Sequence, residues 1–243
     1  MTDAQQLLRP LRPGLVPVPA AGQPGICRFC HSSCPPEYAQ CYPCREAEQS
    51  VGAIEILPVS MSVEGDLLHR YLRGYKDDRD PRVQKRMTMA LAGLLAAFLH
   101  RPQPCVGDYD SICAVPSVQR TAPALVVNRI AALRADCIPT LVTEGSSGHT
   151  DLRPDRFRLT RSVAGERVLL VDDTFTRGGS MFSAVAALRD GGATVVGPLV
   201  IGRHVQPTFG PSEAMLSWLK ERVWVEARCC RCDGEQQNAG SLF

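Results

Sequence analysis

Apolar positions along this chain switch between two spacings. Val168, Leu169, Leu170 and Val171 form an unbroken apolar run, the pattern of a strand covered on both faces in a parallel sheet. The spacing then turns helical: Met181, Ala184, Val185 and Leu188 share one face, and Gly191-Gly192 ends the helix. The same alternation recurs upstream. Leu67, Leu68, Tyr71 and Leu72 give residues 65–75 a helical stripe, and Met87, Leu91, Leu94, Leu95 and Phe98 give a stronger one after Pro81. Strands are predicted at 110–115, ending in Pro116-Ser117, and at 138–142, 157–159 and 194–201. A helix is predicted at 122–135. Alternating helices and apolar strands imply an α/β fold, a mainly parallel sheet with helices on both faces.

The flanks carry no such period. Residues 1–25 are rich in Pro and Gly and read as a flexible or extended arm. Residues 26–48 hold a cysteine module, 49–210 the α/β domain, and 211–243 one helix through Trp218 and Leu219 followed by a basic, cysteine-bearing tail. Residues 144–154, with Gly145, Ser146, Ser147 and Gly148, read as a mobile loop.

Charge and length narrow the class. A formal net charge of +2 over 243 residues does not mark a nucleic-acid protein. The longest apolar run, residues 89–99, falls short of the about 20 residues a bilayer span needs, so no membrane partner is expected. The N-terminus lacks a charged start followed by an apolar core, and a cytoplasmic location is the expectation.

Eleven cysteines are strongly clustered, five between Cys27 and Cys44 and three between Cys229 and Cys232. With no leader expected, clustering favours metal over disulfides. Cys27-x-x-Cys30 and Cys41-x-x-Cys44 are two knuckles that can close on one ion, and structural zinc fits four thiolates best. An iron–sulfur cluster uses the same ligands and stays open. His31 and Cys34, between the pairs, are alternative ligands or bystanders. Cys229-Cys230-x-Cys232 is read as an unpaired flexible tail, or as thiols that supplement the first site or bind a second metal. Cys105, Cys113 and Cys137 read as isolated buried thiols.

The richest chemistry follows the apolar run 168–171. Asp172 and Asp173 stand at its carboxyl end, where ligands bind in open α/β sheets. Thr174, Thr176, Gly178, Gly179 and Ser180 then bring hydroxyls and open backbone amides to a helix N-terminus, which suits a phosphate. Carboxylates for sugar hydroxyls beside amides for an anion describe a ribose phosphate site. The same string also reads as a strand-turn-helix with acids at the turn and no ligand.

This motif resembles the phosphoribosyl-diphosphate (PRPP) signature of type I phosphoribosyltransferases. Arg177 stands where that family usually has a second threonine, and Ser180 where it usually has threonine. With the finger at Cys27, Cys30, Cys41 and Cys44, the stretch around Tyr71, Tyr75 and Lys76, and the Ala114–Arg120 element, the chain after Gly25 resembles the ComF/GntX-like branch. Ala-Leu-Val-Val-Asn-Arg replaces that branch's usual Arg-Gly-Phe-Asn-Gln segment. The resemblance implies a type I phosphoribosyltransferase-like fold with a small zinc module. It also implies Mg²⁺-dependent displacement of pyrophosphate from ribose C1 by an unidentified nitrogen acceptor. Asp172 and Asp173 are then the catalytic acids. The PRPP-binding set is these two with Thr174, Thr176, Arg177, Gly178, Gly179 and Ser180, and Ser117 and Arg120 for the pyrophosphate. His149 and Arg153 would reach phosphate from a closing hood. The alternative is a non-catalytic accessory protein for DNA handling or nucleotide sensing. For it, Lys76, Arg79, Arg82, Lys85 and Arg86 form a basic patch suited to a nucleic-acid backbone, although few aromatics accompany it. A homo-oligomer is allowed and not specified.

Overall fold

The computed structural model describes residues 3–100, 104–116, 122–129, 140–143, 151–226 and 228–232. Four parallel strands form its central sheet: β1 (Leu57–Val63), β2 (Ser111–Ala114), β5 (Arg167–Phe175) and β6 (Thr194–Val205), in the order β1-β6-β5-β2. Successive β5 side chains point to opposite faces, and the core divides accordingly. Leu169 and Val171 pack into one apolar cluster and Val168 and Leu170 into the other. The first cluster is closed by α1 (Asp3–Leu8), α3 (Leu67–Asp77), α4 (Pro81–His100), α5 (Ala122–Val127) and α7 (Ser212–Lys220). The second is closed by α2 (Tyr42–Val51), α6 (Gly179–Asp190) and the cysteine module. The expected parallel sheet with helices on both faces is present, with the cysteine module N-terminal to it.

Several elements depart from the sequence reading. Residues 3–25 are not a loose arm. Leu8 and Leu11 are fully buried, α1 packs along α4, and Val16 bridges Met61 antiparallel to β1. Ser60 Oγ receives the Val16 amide at 3.0 Å and donates to its carbonyl at 2.8 Å. The segment thereby covers an edge strand that would otherwise offer bare backbone groups. β1 itself has no clean sequence signal because Pro58 lies within it. Proline is tolerated there because β1 is an edge of the sheet. Pro198, inside central β6, falls where the β5–β6 register shifts between Leu169 and Val171, a bulge that relieves it of a ladder bond.

The strand expected at 138–142 is described only at its end, as β3 (Leu141–Thr143). It pairs antiparallel with β4 (Phe157–Leu159) in a separate two-stranded ribbon, outside the main sheet. Of the helix expected at 122–135, α5 is the described part. No described helix is long and apolar enough to cross a membrane.

Candidate functional site

β5 does not end at the carboxylates. It carries Asp172, Asp173 and Thr174 within the strand and runs to Phe175. On one side β6 pairs with it as far as Phe175, Asp172 opposite Val200 and Phe175 opposite Arg203. On the other side β2 pairs only as far as Val171, with Val115 donating to the Val171 carbonyl at 2.9 Å. The acids therefore stand where β5 outlasts its neighbour, at the carboxyl end of the sheet.

Both are buried, and they are held differently. Asp172 accepts the Asp173 amide at 2.8 Å. Burial, and next the charge of Asp173, push its carboxyl well above the usual carboxylate range. Asp173 receives Tyr75 Oη–H and an ion pair from Lys76 Nζ, both from the last turn of α3. This separates the basic patch into two parts. Lys76 turns into the acid site, while Arg79, Arg82, Lys85 and Arg86 are exposed.

After Phe175 the chain turns through exposed Thr176 and Arg177 to Gly178, the residue before α6. Gly178 has φ 89°, and a Cβ there would lie 2.5 Å from the rings of both Phe175 and Phe182. Glycine is needed for the backbone and for the packing. Among the described residues no side chain caps α6, so its first-turn amides and dipole are available to an anion. Arg156, buried in the turn before β4, donates to Ser180 Oγ at 3.2 Å and to the Asp151 carbonyl at 2.9 Å. It brings a cation to the start of α6. Nothing in its local sequence marks it, because the contact joins residues from separate elements. Of the loop residues expected to reach phosphate, Arg153 uses its amide on Ser183 Oγ at 2.9 Å and its guanidinium on Asp155 at 3.2 Å. His149, Ser117 and Arg120 lie outside the described residues.

Cys27, Cys30, Cys41 and Cys44 converge, with ligand atoms all within 4.8 Å of one another and Cys30 Sγ 3.6 Å from Cys41 Sγ. This group can hold a metal ion. Hydrogen bonds from Cys27, then Cys41 and Cys44, hold the Cys30 thiol well below its usual range. Thiolate hydrogen bonds, from Cys27 first, drive Cys41 and Cys44 upward. Such crowding holds Cys27 and Cys30 down at the expense of Cys41 and Cys44, and a divalent cation removes the conflict. His31 and Cys34 are bystanders to this group. His31 Nδ1 lies 2.8 Å from the Pro19 carbonyl oxygen, and Cys34 Sγ donates to the Tyr38 carbonyl at 3.3 Å. His31 takes φ 58°, the left-handed turn that closes the first knuckle.

Arg203 joins the two regions. Buried on β6, it donates to the Phe175 carbonyl at 2.9 Å and the Cys30 carbonyl at 3.2 Å, and its guanidinium lies over the Phe175 ring. Between the module and the loop opens a cleft of about 590 Å³, lined among others by Tyr38, Tyr42, Thr176, Arg177, Arg203 and Phe209.

No protein-family model matches the chain, and no curated protein matches it. Among solved structures it is similar to a phosphoribosyltransferase from Corynebacterium diphtheriae. The two are 25% identical, over 55% of this chain and 73% of that one, with a TM-score of 0.30.

Proposed function

We propose that this chain binds PRPP through the end of β5 and the start of α6, and transfers its phosphoribosyl group to a nitrogen acceptor. The observation that carries this reading is one juxtaposition. Two buried carboxylates at the open carboxyl end of a parallel strand are followed directly by an uncapped helix N-terminus with Arg156 beside it. Asp172 and Asp173 accept from the ribose hydroxyls, and Tyr75 and Lys76 orient Asp173 for this. The backbone and hydroxyls from Thr174 to Ser180, with Arg156, hold the 5-phosphate. Arg177 adds charge at the exposed edge. Ser117 and Arg120 are assigned to the pyrophosphate on the sequence resemblance alone. An oxygen-rich site of this kind suits Mg²⁺, which would sit by Asp172 and Asp173 and, when bound, would supply positive charge to a pyrophosphate leaving group. Cys27, Cys30, Cys41 and Cys44 hold a structural zinc ion.

The test is turnover: pyrophosphate release from PRPP and Mg²⁺ with a panel of purine, pyrimidine and simple amine acceptors. Release that depends on one acceptor supports the transferase. Binding of PRPP with no release for any acceptor favours the accessory reading. That second reading rests on the four exposed cations Arg79, Arg82, Lys85 and Arg86, clustered at the start of α4. It requires salt-sensitive duplex or single-strand binding that charge reversal at Arg82, Lys85 and Arg86 abolishes.

A further inference from the structure

The C-terminal thiols are not a loose tail. Cys229 is fully buried, and its Sγ lies 3.3 Å from that of Cys105, which precedes β2 and is 124 residues away in sequence. Cys105 is therefore not an isolated thiol. Cys232 completes the group, since the three sulfurs lie within 4.8 Å of one another. Cys229 and Cys232 are themselves a Cys-x-x-Cys pair folded as a knuckle. The Cys232 amide donates to Cys229 Sγ, and the Cys105 amide donates to Cys232 Sγ, each at 3.4 Å. Amides aimed at sulfur favour the thiolate and fix its orientation, as outer-shell donors do around metal-bound cysteines. Cys230 points elsewhere, with its Sγ 3.6 Å from His31 Nε2 in the N-terminal module.

We propose that Cys105, Cys229 and Cys232 bind a second thiophilic divalent ion, zinc in the first instance, that clamps the C-terminal segment onto the loop ahead of β2. Three thiolates supply three tetrahedral positions and leave the fourth to water or another donor. Cys232 is exposed, so the ion has a route in from solvent. A Cys105–Cys229 disulfide is the competing use of the same pair. It would need an oxidant, and it would leave Cys232 and both amide–sulfur contacts without purpose. The clamp has a partner on the other side of the segment. Arg231 pairs with Glu55, and Trp224 Nε1 donates to the Val59 carbonyl at 3.1 Å. The metal thus closes a tail already seated along β1.

The full-length chain, purified without chelators, is expected to carry two zinc ions by elemental mass spectrometry. Cys232→Ser changes an exposed side chain and should remove one ion while leaving the protein folded. Cys27→Ser should remove the other ion, so failure of either site is read separately. In cobalt-loaded protein, the near-ultraviolet thiolate-to-metal absorption should drop in Cys232→Ser. Metal content and cobalt absorption unchanged by Cys232→Ser would overturn the proposal. So would a Cys105–Cys229 disulfide, found by mass mapping of protein prepared under non-oxidising conditions.

Discussion

In the cysteine module four sulfurs crowd one another inside a closed, mostly buried cluster. At the carboxyl end of β5 two carboxylates crowd each other beside an exposed loop. Each region gathers like charge, which Lys76 and Tyr75 relieve at Asp173 and a divalent cation would relieve among the sulfurs. The difference is access. The sulfurs face inward on one another, so an ion there can only hold structure together. The acids sit where β2 stops short and α6 begins uncapped, beside the exposed Thr176 and Arg177. Arg203 fastens one region to the other, and disturbance of the module should be felt at the loop.

The largest expected effect is on the closed region. Cys44→Ser should release one metal ion per chain and cost about 4 kcal/mol or more, roughly 8–16 °C in Tm. Elemental analysis and a thermal melt check both parts. If the melt were unchanged, the module would not be a metal-dependent part of the fold. Next comes the turn before α6 in the open region. Gly178→Ala forces a left-handed backbone onto alanine and drives its methyl into Phe175 and Phe182, at a cost of about 2–4 kcal/mol in urea unfolding. It should also misplace the α6 amides and weaken anion binding. Arg156→Met tests the proposed phosphate end without substituting a loop residue, removing the contact to Ser180 Oγ. Loss of a charge-assisted contact worth about 1.5–3 kcal/mol predicts PRPP binding roughly 10- to 150-fold weaker by calorimetry.

The smallest effect has an unusual sign. The Asp172 carboxyl is raised in the folded chain, so the native state binds more protons than the unfolded one above the ordinary carboxylate range. Stability contributed by this group therefore falls as pH rises from that range to the raised folded value, and the cost persists above it. Asp172→Asn should make the unliganded protein slightly more stable at neutral pH. The gain should disappear in acid, where the wild-type carboxyl is protonated. Urea melts across pH would show this, and a stability loss at neutral pH would mean that Asp172 is a structural residue.

The two regions also differ in how far the sequence discloses them. Cys27 to Cys44 and Val168 to Ser180 are local strings, where spacing and apolar period carry the geometry directly. The apolar stripes of α4 and α6 are legible for the same reason. What stayed hidden depends on contacts between distant segments. Leu8 buries in a helix that packs on α4 some eighty residues on, Arg156 reaches Ser180 from another element, and Cys105 meets Cys229 across the chain. No periodicity records such meetings. β1 was concealed by Pro58, which an edge strand accepts and a central one would not. The split of the basic patch, with Lys76 inward and its neighbours outward, depends on where α3 ends beside β5.

The most direct test of the proposed PRPP site is calorimetric titration of PRPP with Mg²⁺ into the wild-type chain and into Asp172→Asn/Asp173→Asn. With each lost charge-assisted hydrogen bond worth about 1.5–3 kcal/mol, binding should weaken by roughly 100-fold or more. Equal affinity in the two proteins would contradict the assignment of PRPP to the end of β5.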